Sequence, residues 1–464
     1  MMRRVGVVVA AVLLAGCANV AARQAADATD AFAVKELGIA ARLHESTADR
    51  AAASQRANAL LAQPLTADAA VSLALDYSPV FQQLLAERSA ATAAATQSAR
   101  LPNPLVSYAR LAGGDVTEID RALRVSLLDI VLWPQRRRLA DLQRAQVRLR
   151  SAMDVVNTAT AARRAWVDAV AARQSLAYAE QTRRAAESTA ELARRMAAVG
   201  NLSRIEQARE HVFYADATAL HARAQLDVQR TRETLVRVLG LARDQALQLQ
   251  LPDRLPDLPA TPEDESVLAR RALAERLDVE LARAELDFTA RSLGLTRVTS
   301  SVNVFEVAAQ SNSVPEGGEA LTGYELEARL PLFDFGDARR RNARALYLAA
   351  LNRSAAVMVN AESGLREGYQ GYRTAYDLAR HYRNEVVPLR QVIAEENQLR
   401  YNGMLISVFE LLADAREQMS SVRQAIAAQR DFWLADATLR STLIGVAVSG
   451  GGVPTVAGAD AARD

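Results

Sequence analysis

The chain has 464 residues, with 56 Lys and Arg against 54 Asp and Glu, and a formal net charge of +2. Acids and bases are interspersed, which argues against both a basic nucleic-acid surface and an acidic tail. The length is large for one compact core. Half of the residues are apolar, only 5% are aromatic, and mean hydropathy is −0.05. Much of the apolar content is alanine. Beyond the N-terminal residues no apolar run reaches the roughly 18 residues of a spanning helix. A closed β-barrel is then the remaining way for any part of the chain to cross a bilayer.

At the N-terminus Arg3 and Arg4 precede an apolar run from Val5 to Ala15. A run of about 11 residues falls short of the roughly 20 needed to span, and has the layout of a secretory signal peptide. It ends in Leu14-Ala15-Gly16-Cys17, which resembles the bacterial lipobox. That resemblance implies cleavage after Gly16 and acylation of Cys17, the single cysteine of the chain. The bland alternative is an ordinary signal peptide with a chance cysteine. Asn19 stands where Asp tends to retain lipoproteins in the inner membrane, so the resemblance points to the outer one. Residues 1–16 are thus expected to be removed and 17–64 to form a lipid-anchored segment. With Cys17 acylated, no thiol remains for disulfides, metal clusters or thiol catalysis.

An internal repeat organises the rest. Arg136-Arg137-Arg138 recurs as Arg339-Arg340-Arg341, and Gly200 recurs as Gly403, each pair 203 positions apart (339 − 136 and 403 − 200). The expected copies are 65–255 and 256–445, followed by a disordered tail, 446–464, that contains Ser449-Gly450-Gly451-Gly452. In chain order, copy one reads as a helix over Ala67–Arg100, strands near Leu105–Leu111 and Leu123–Leu127, a long helix over about Leu139–Val199, a turn at Gly200, and another helix. Copy two reads as a helix over Glu263–Thr296, a strand near Ser301–Gln310, a second over Gly323–Leu330 closed by Pro331, a long helix over about Ala338–Leu399, a turn at Gly403, and a last helix. Tyr324, Leu326, Ala328 and Leu330 alternate with Glu325, Glu327 and Arg329, the period of a strand with one wet face. The two long helices, of roughly 60 residues or about 90 Å each, carry apolar stripes at three- and four-residue spacing. Pro388 predicts a kink in the second. Tyr369, Tyr372 and Tyr376 form an aromatic stripe that reads as helix packing. Four strands cannot close a barrel, so several chains would have to share one.

Several segments together resemble the TolC-like outer-membrane efflux protein family. They are Leu101-Pro102-Asn103-Pro104 before the first strand, Pro331-Leu332-Phe333-Asp334-Phe335-Gly336-Asp337-Ala338-Arg339 at the second strand-to-helix junction, and Glu385-Val386-Val387-Pro388-Leu389. Arg400-Tyr401-Asn402-Gly403 and Ser407-Val408-Phe409-Glu410-Leu411-Leu412 complete the set. The matching region runs from about Leu65 to Leu443. Copy one departs from the pattern at Leu132-Trp133-Pro134-Gln135-Arg136, which lacks the glycine. The resemblance implies a mainly α fold with a small β part. In it a long α-helical coiled-coil barrel is joined to a trimeric, twelve-stranded transmembrane β-barrel, to which each chain gives four strands. It further implies a homotrimer in outer-membrane lipid, extending into the periplasm and working with a periplasmic adaptor protein and an inner-membrane pump. The turns at Gly200 and Gly403 would be periplasmic tips.

A closed tip needs side chains that converge on the trimer axis. Arg204 and Glu206 in copy one, with Tyr401, Glu410 and Asp414 in copy two, are the candidates; the alternative is that all five are solvated helix-end groups. Gly403 to Ser407 is one residue longer than Gly200 to Ser203, which leaves the register of Glu410 open. His44, His211, His221 and His381 lack metal-ligand spacing, so neither a metal nor a cofactor is expected beyond the lipid on Cys17. No nucleotide-binding loop and no nucleophile–base set is present, and an enzyme is not expected. The reading is a passive conduit for small molecules in a tripartite efflux system. Two alternatives stay open: an outer-membrane conduit for polypeptides in type I secretion, and a coiled-coil periplasmic lipoprotein with no pore.

Overall fold

Alanine- and leucine-rich stretches dictate most of the architecture. The computed structural model describes residues 27–113, 116–264, 276–300, 304–313, 320–329 and 332–446. Cys17, the signal peptide, Leu330, Pro331 and nearly all of the expected tail lie outside them. Helices are α1 (27–37), α2 (Thr47–Leu61), α3 (Ala67–Asp76), α4 (Pro79–Ser98), α5 (Leu127–Ala198), α6 (Arg204–Leu239), α7 (Arg243–Gln248), α8 (Leu277–Thr299), α9 (Asp337–His381), α10 (Val387–Asn402) and α11 (Val408–Leu443). Strands are β1 (Leu105–Gly113), β2 (Val116–Ser126), β3 (Phe305–Ser313) and β4 (Leu321–Ala328). The fold is mainly α with one small sheet. Its contacts divide into two units: one ends its first segment at Leu43 and adds Gln83–Ala152 and Leu277–Asn360, and the other holds His44–Gln82, Met153–Arg276 and Ala361 onward.

In the first unit the four strands form one antiparallel sheet in chain order. The two hairpins join through β2 and β3, with Arg124 opposite Ala308 and Val125 opposite Val307. Register sorts the side chains by face, as period-2 alternation requires. One face carries Glu118, Asp120, Arg124, Glu306, Gln310, Glu325 and Glu327. On it the Arg124 guanidinium reaches Glu327 at 2.8 Å, Glu325 at 3.2 Å and Glu306 at 3.7 Å, so one side chain of the first hairpin binds three of the second. The opposite face carries Val106, Tyr108, Ile119, Leu123, Val125, Phe305, Val307, Tyr324 and Leu326, and Tyr324 is 81% exposed. β1 and β4 are open edges.

The second hairpin meets its helix at Gly336, whose φ of +69° suits only glycine there, because a Cβ would lie 2.4 Å from the Ser300 carbonyl oxygen. Copy one has no such break. Helix α5 starts at Leu127, about 12 residues before the expected start at Leu139, and takes Pro134 inside it. Proline costs that turn a hydrogen bond. The turn is held by Trp133 Nε1 donating to the Ala99 carbonyl at 2.8 Å, by the Arg136–Asp129 pair at 2.6 Å, and by burial of Leu132.

The expected first helix is two helices, α3 and α4, because Pro79 begins a new one. The expected Glu263–Thr296 helix begins, among the described residues, at Leu277. The tyrosine stripe packs across α9 and α11. Tyr372 and Tyr376 meet Phe432 with ring centroids 5.6 and 5.7 Å apart. Their hydroxyls also hold the proline-rich segment between the copies. Tyr376 donates to the Pro259 and Ala260 carbonyls, and Tyr372 accepts from the Glu263 amide. The expected second long helix is interrupted by a π turn over Tyr382–Val386. Its wider hydrogen bond runs from the Val387 N–H to the Tyr382 carbonyl, one position before Pro388. The extra residue takes up the strain of a proline that cannot donate.

Candidate gating site at the helix turns

The two turns obey one rule of helix termination with different residues. At the end of α5, Gly200 has φ +81°. Its N–H bonds to the Ala197 carbonyl and that of Asn201 to the Met196 carbonyl, a glycine-capped helix end. At the end of α10 the left-handed residue is Met404, with φ +59°. The equivalent bonds run from Met404 to Tyr401 and from Leu405 to Arg400. Gly403 has φ −81° and is the residue before it. The structural partner of Gly200 is therefore Met404, and the offset at the tips is 204 rather than 203.

The same offset resolves Glu410. Ser203 caps α6 by accepting from the Glu206 amide, and Ser407 caps α11 by accepting from the Glu410 amide. Glu206 and Glu410 are equivalent third residues of their helices. Glu206 completes the capping box by accepting from the Ser203 N–H at 2.9 Å. That bond, with the Ser203 hydroxyl as the larger cause, lowers its pKa. The Glu410 carboxylate makes no such return bond among the described residues and is exposed.

Of the other nominated residues, Arg204 and Tyr401 are exposed, with no side-chain partner among the described residues. Asp414 instead bonds to Asn397 Nδ2 on α10, tying the second helical hairpin within the chain. Arg390 and Glu417 add a tie at 3.2 Å. The structure thus brings Asp414 into a hydrogen-bonded pair and leaves the other four at helix ends. Next to them lie two residues that sequence reasoning missed. Glu210 on α6 pairs with Arg416 on α11, and the Arg416 guanidinium sits 4.6 Å from the centre of the Phe213 ring. Glu210 is 2% exposed, while its Oε2 and Arg416 Nε are buried without a partner. The signal was there to find: Glu210 stands seven residues before Ala217 and fourteen before Ala224 in the buried seam of α6. A charge in an alanine seam demands a counter-ion.

Beyond this pair a groove of about 800 Å³ runs between α5, α6 and α11, lined among others by Asp168, Tyr178, Phe213, Arg416, Arg423 and Arg430. Burial raises the pKa of Asp168, against the pull of Arg430 and Arg164. Among the described residues no cluster of His, Cys, Asp and Glu could hold a metal ion, and no helix is long and apolar enough to cross a membrane.

No protein-family model and no curated protein matches the chain. Solved structures do. The outer membrane protein VceC from Vibrio cholerae superimposes with a TM-score of 0.68 at 15% identity, over 82% of this chain and 96% of that one. A membrane protein from Pseudomonas aeruginosa gives 0.67 at 18% identity over 81% and 92%. The Campylobacter jejuni CmeC outer membrane channel gives 0.66 at 13% identity over 86% and 87%. The resemblance lies in the fold, across most of both chains.

Proposed function

We propose that this chain, whose fold is that of the TolC-like outer-membrane channels, is the outer-membrane conduit of a tripartite efflux system. The observation that carries the reading is the sheet: one charged face, one exposed apolar face and two open edges, in a chain similar in fold to outer-membrane channels along most of its length. An apolar exposed sheet face with unpaired edges is a liability in water. It suits a barrel wall, with apolar residues toward lipid and polar ones toward the bore. Four strands are too few for a barrel, which takes at least about eight; three copies supply twelve. The conduit is passive and has no catalytic role. It carries small molecules delivered by an inner-membrane pump through a periplasmic adaptor, and is held in the outer membrane by the barrel and by acyl chains on Cys17.

Within this reading the turns at Gly200 and Met404 are the periplasmic tips. Arg204, Glu206, Tyr401 and Glu410 face the aperture there, while Asp414 and the Glu210–Arg416 pair hold the helices that bound it. The test is single-channel conductance of the purified, detergent-solubilised chain in planar bilayers, beside its mass by light scattering. A trimeric mass with discrete conductance steps is expected, with larger steps in the Arg204→Ala/Glu410→Ala variant. A monomer or dimer with no conductance overturns the reading in favour of a periplasmic spacer.

A further inference from the structure

Charge is segregated across the sheet with one exception. On the apolar face, among residues such as Tyr108, Leu123, Val307 and Tyr324, stand two arginines, Arg110 and Arg121. They are the only charged residues on that face among the described ones. Arg110 opposes Ile119 and Arg121 opposes Tyr108, so the two are diagonal neighbours, about 7–8 Å apart at Cα. Both are exposed, and neither has a hydrogen-bonded or ion-paired carboxylate among the described residues. Arg124, on the other face, has three.

On a wall that meets hydrocarbon, a guanidinium without a counter-ion is costly, and two adjacent like charges repel. Among the described residues no anion stands on this face: β3 presents Phe305, Val307 and Ala309 there, and β4 presents Thr322, Tyr324 and Leu326. A second copy docked edge to edge brings the same strands, whose described residues again place no carboxylate on this face. The bilayer supplies a counter-ion at this face, the headgroup phosphate, which the guanidinium fork binds in bidentate fashion. Tyr108, directly across from Arg121, has the amphipathic ring that settles at headgroup depth. We propose that Arg110 and Arg121 clamp the phosphate of an anionic lipid against the outer wall of the barrel. The inference rests on the conduit reading, since it places this face in a membrane.

The test uses the full trimer in nanodiscs of phosphatidylcholine doped with phosphatidylglycerol, with retained lipid counted by native mass spectrometry and conductance measured on the same preparation. One phosphatidylglycerol per chain is expected. The Arg110→Gln/Arg121→Gln variant is expected to bind it roughly thirtyfold more weakly, about fivefold per arginine, and the double lysine variant to retain most of it. Should the double glutamine variant fail to assemble, each single variant is expected to show its fivefold loss. A conducting channel whose lipid count is the same in wild type and glutamine variants overturns the clamp and leaves the conduit standing. Absence of both insertion and conductance in the wild type overturns both. Displacement of the lipid by inorganic phosphate at equal concentration would show an ion site, and would also overturn the proposal.

Discussion

Replacing Arg416 with methionine leaves the Glu210 carboxylate charged in an alanine seam, with its side chain 3% exposed. Breaking a buried pair from one side costs about 3–5 kcal/mol. The arginine end is 31% exposed, so water reaches part of the site, and we expect about 2–4 kcal/mol here. The pair itself is worth little against an apolar substitute, because Glu210 Oε2 and Arg416 Nε are already unsatisfied, at about 1–3 kcal/mol for each such group. The Glu210→Ala/Arg416→Met double variant, which continues the spacing of Ala217 and Ala224, should therefore equal or exceed the wild type in stability. Hydrogen exchange of peptides from the first turns of α6 and α11 reads the local opening equilibrium. The single variant should exchange roughly 30- to 700-fold faster, at 1.4 kcal/mol per tenfold, and the double variant should return to wild-type rates. Exchange within about threefold of wild type in the single variant, or a double variant as fast as the single, would refute the argument.

Other substitutions test other links. Gly240→Ala should lower the thermal midpoint strongly, because φ is +69° and the new Cβ would lie 2.2 Å from Pro79 Cδ; a midpoint within one or two degrees of wild type contradicts the close approach of Gly240 to Pro79. Gly200→Ala should destabilise the first turn by about 1 kcal/mol, whereas Met404→Gly should slow exchange of the amides around the second, and effects of the same sign would contradict the 204-residue register. For Asp168, burial raises the folded pKa above the unfolded value. The folded state then holds the proton more tightly, so this group lowers stability as pH rises through its folded pKa. Asp168→Asn should raise the midpoint at neutral pH and lose that advantage as pH falls below about 4; an advantage independent of pH would count against burial as the cause.

Much of the architecture is legible because it rests on periodicity. The alternation in Tyr324–Ala328 gives β4 and its faces, and the tyrosine stripe at Tyr369, Tyr372 and Tyr376 gives a helix seam. Where local chemistry and tertiary contact disagree, the sequence misleads. The long helix is expected from about Leu139, yet α5 starts at Leu127 and takes Pro134 inside it, where Trp133 and Arg136 gain partners and Leu132 a buried site. The π turn has no local signature beyond Pro388, since it answers a hydrogen bond that proline removes. Asp414 reads as one more helix-end charge; its partner, Asn397, is chosen by the packing of α10 on α11. Glu210 and Arg416 are 206 positions apart, and only the alanine seam around the glutamate marks it as needing a partner.

The duplicated turns carry the same caps to different ends. Copy one satisfies its own caps, although Val199 and Ile205 beside it are exposed: Gly200 takes the left-handed position without strain, and Glu206 is occupied in its capping box. Copy two departs from this at both points. Met404 holds a positive φ that costs a non-glycine residue of order 1–2 kcal/mol and is 93% exposed beside an exposed Leu405, and the Glu410 carboxylate has no partner among the described residues. A turn that tolerates backbone strain while presenting apolar and acidic side chains to solvent is poorly suited to an isolated chain. It suits a surface completed by other molecules, so within the proposed conduit Tyr401, Met404, Leu405 and Glu410 of the second copy are the tip residues offered to a partner.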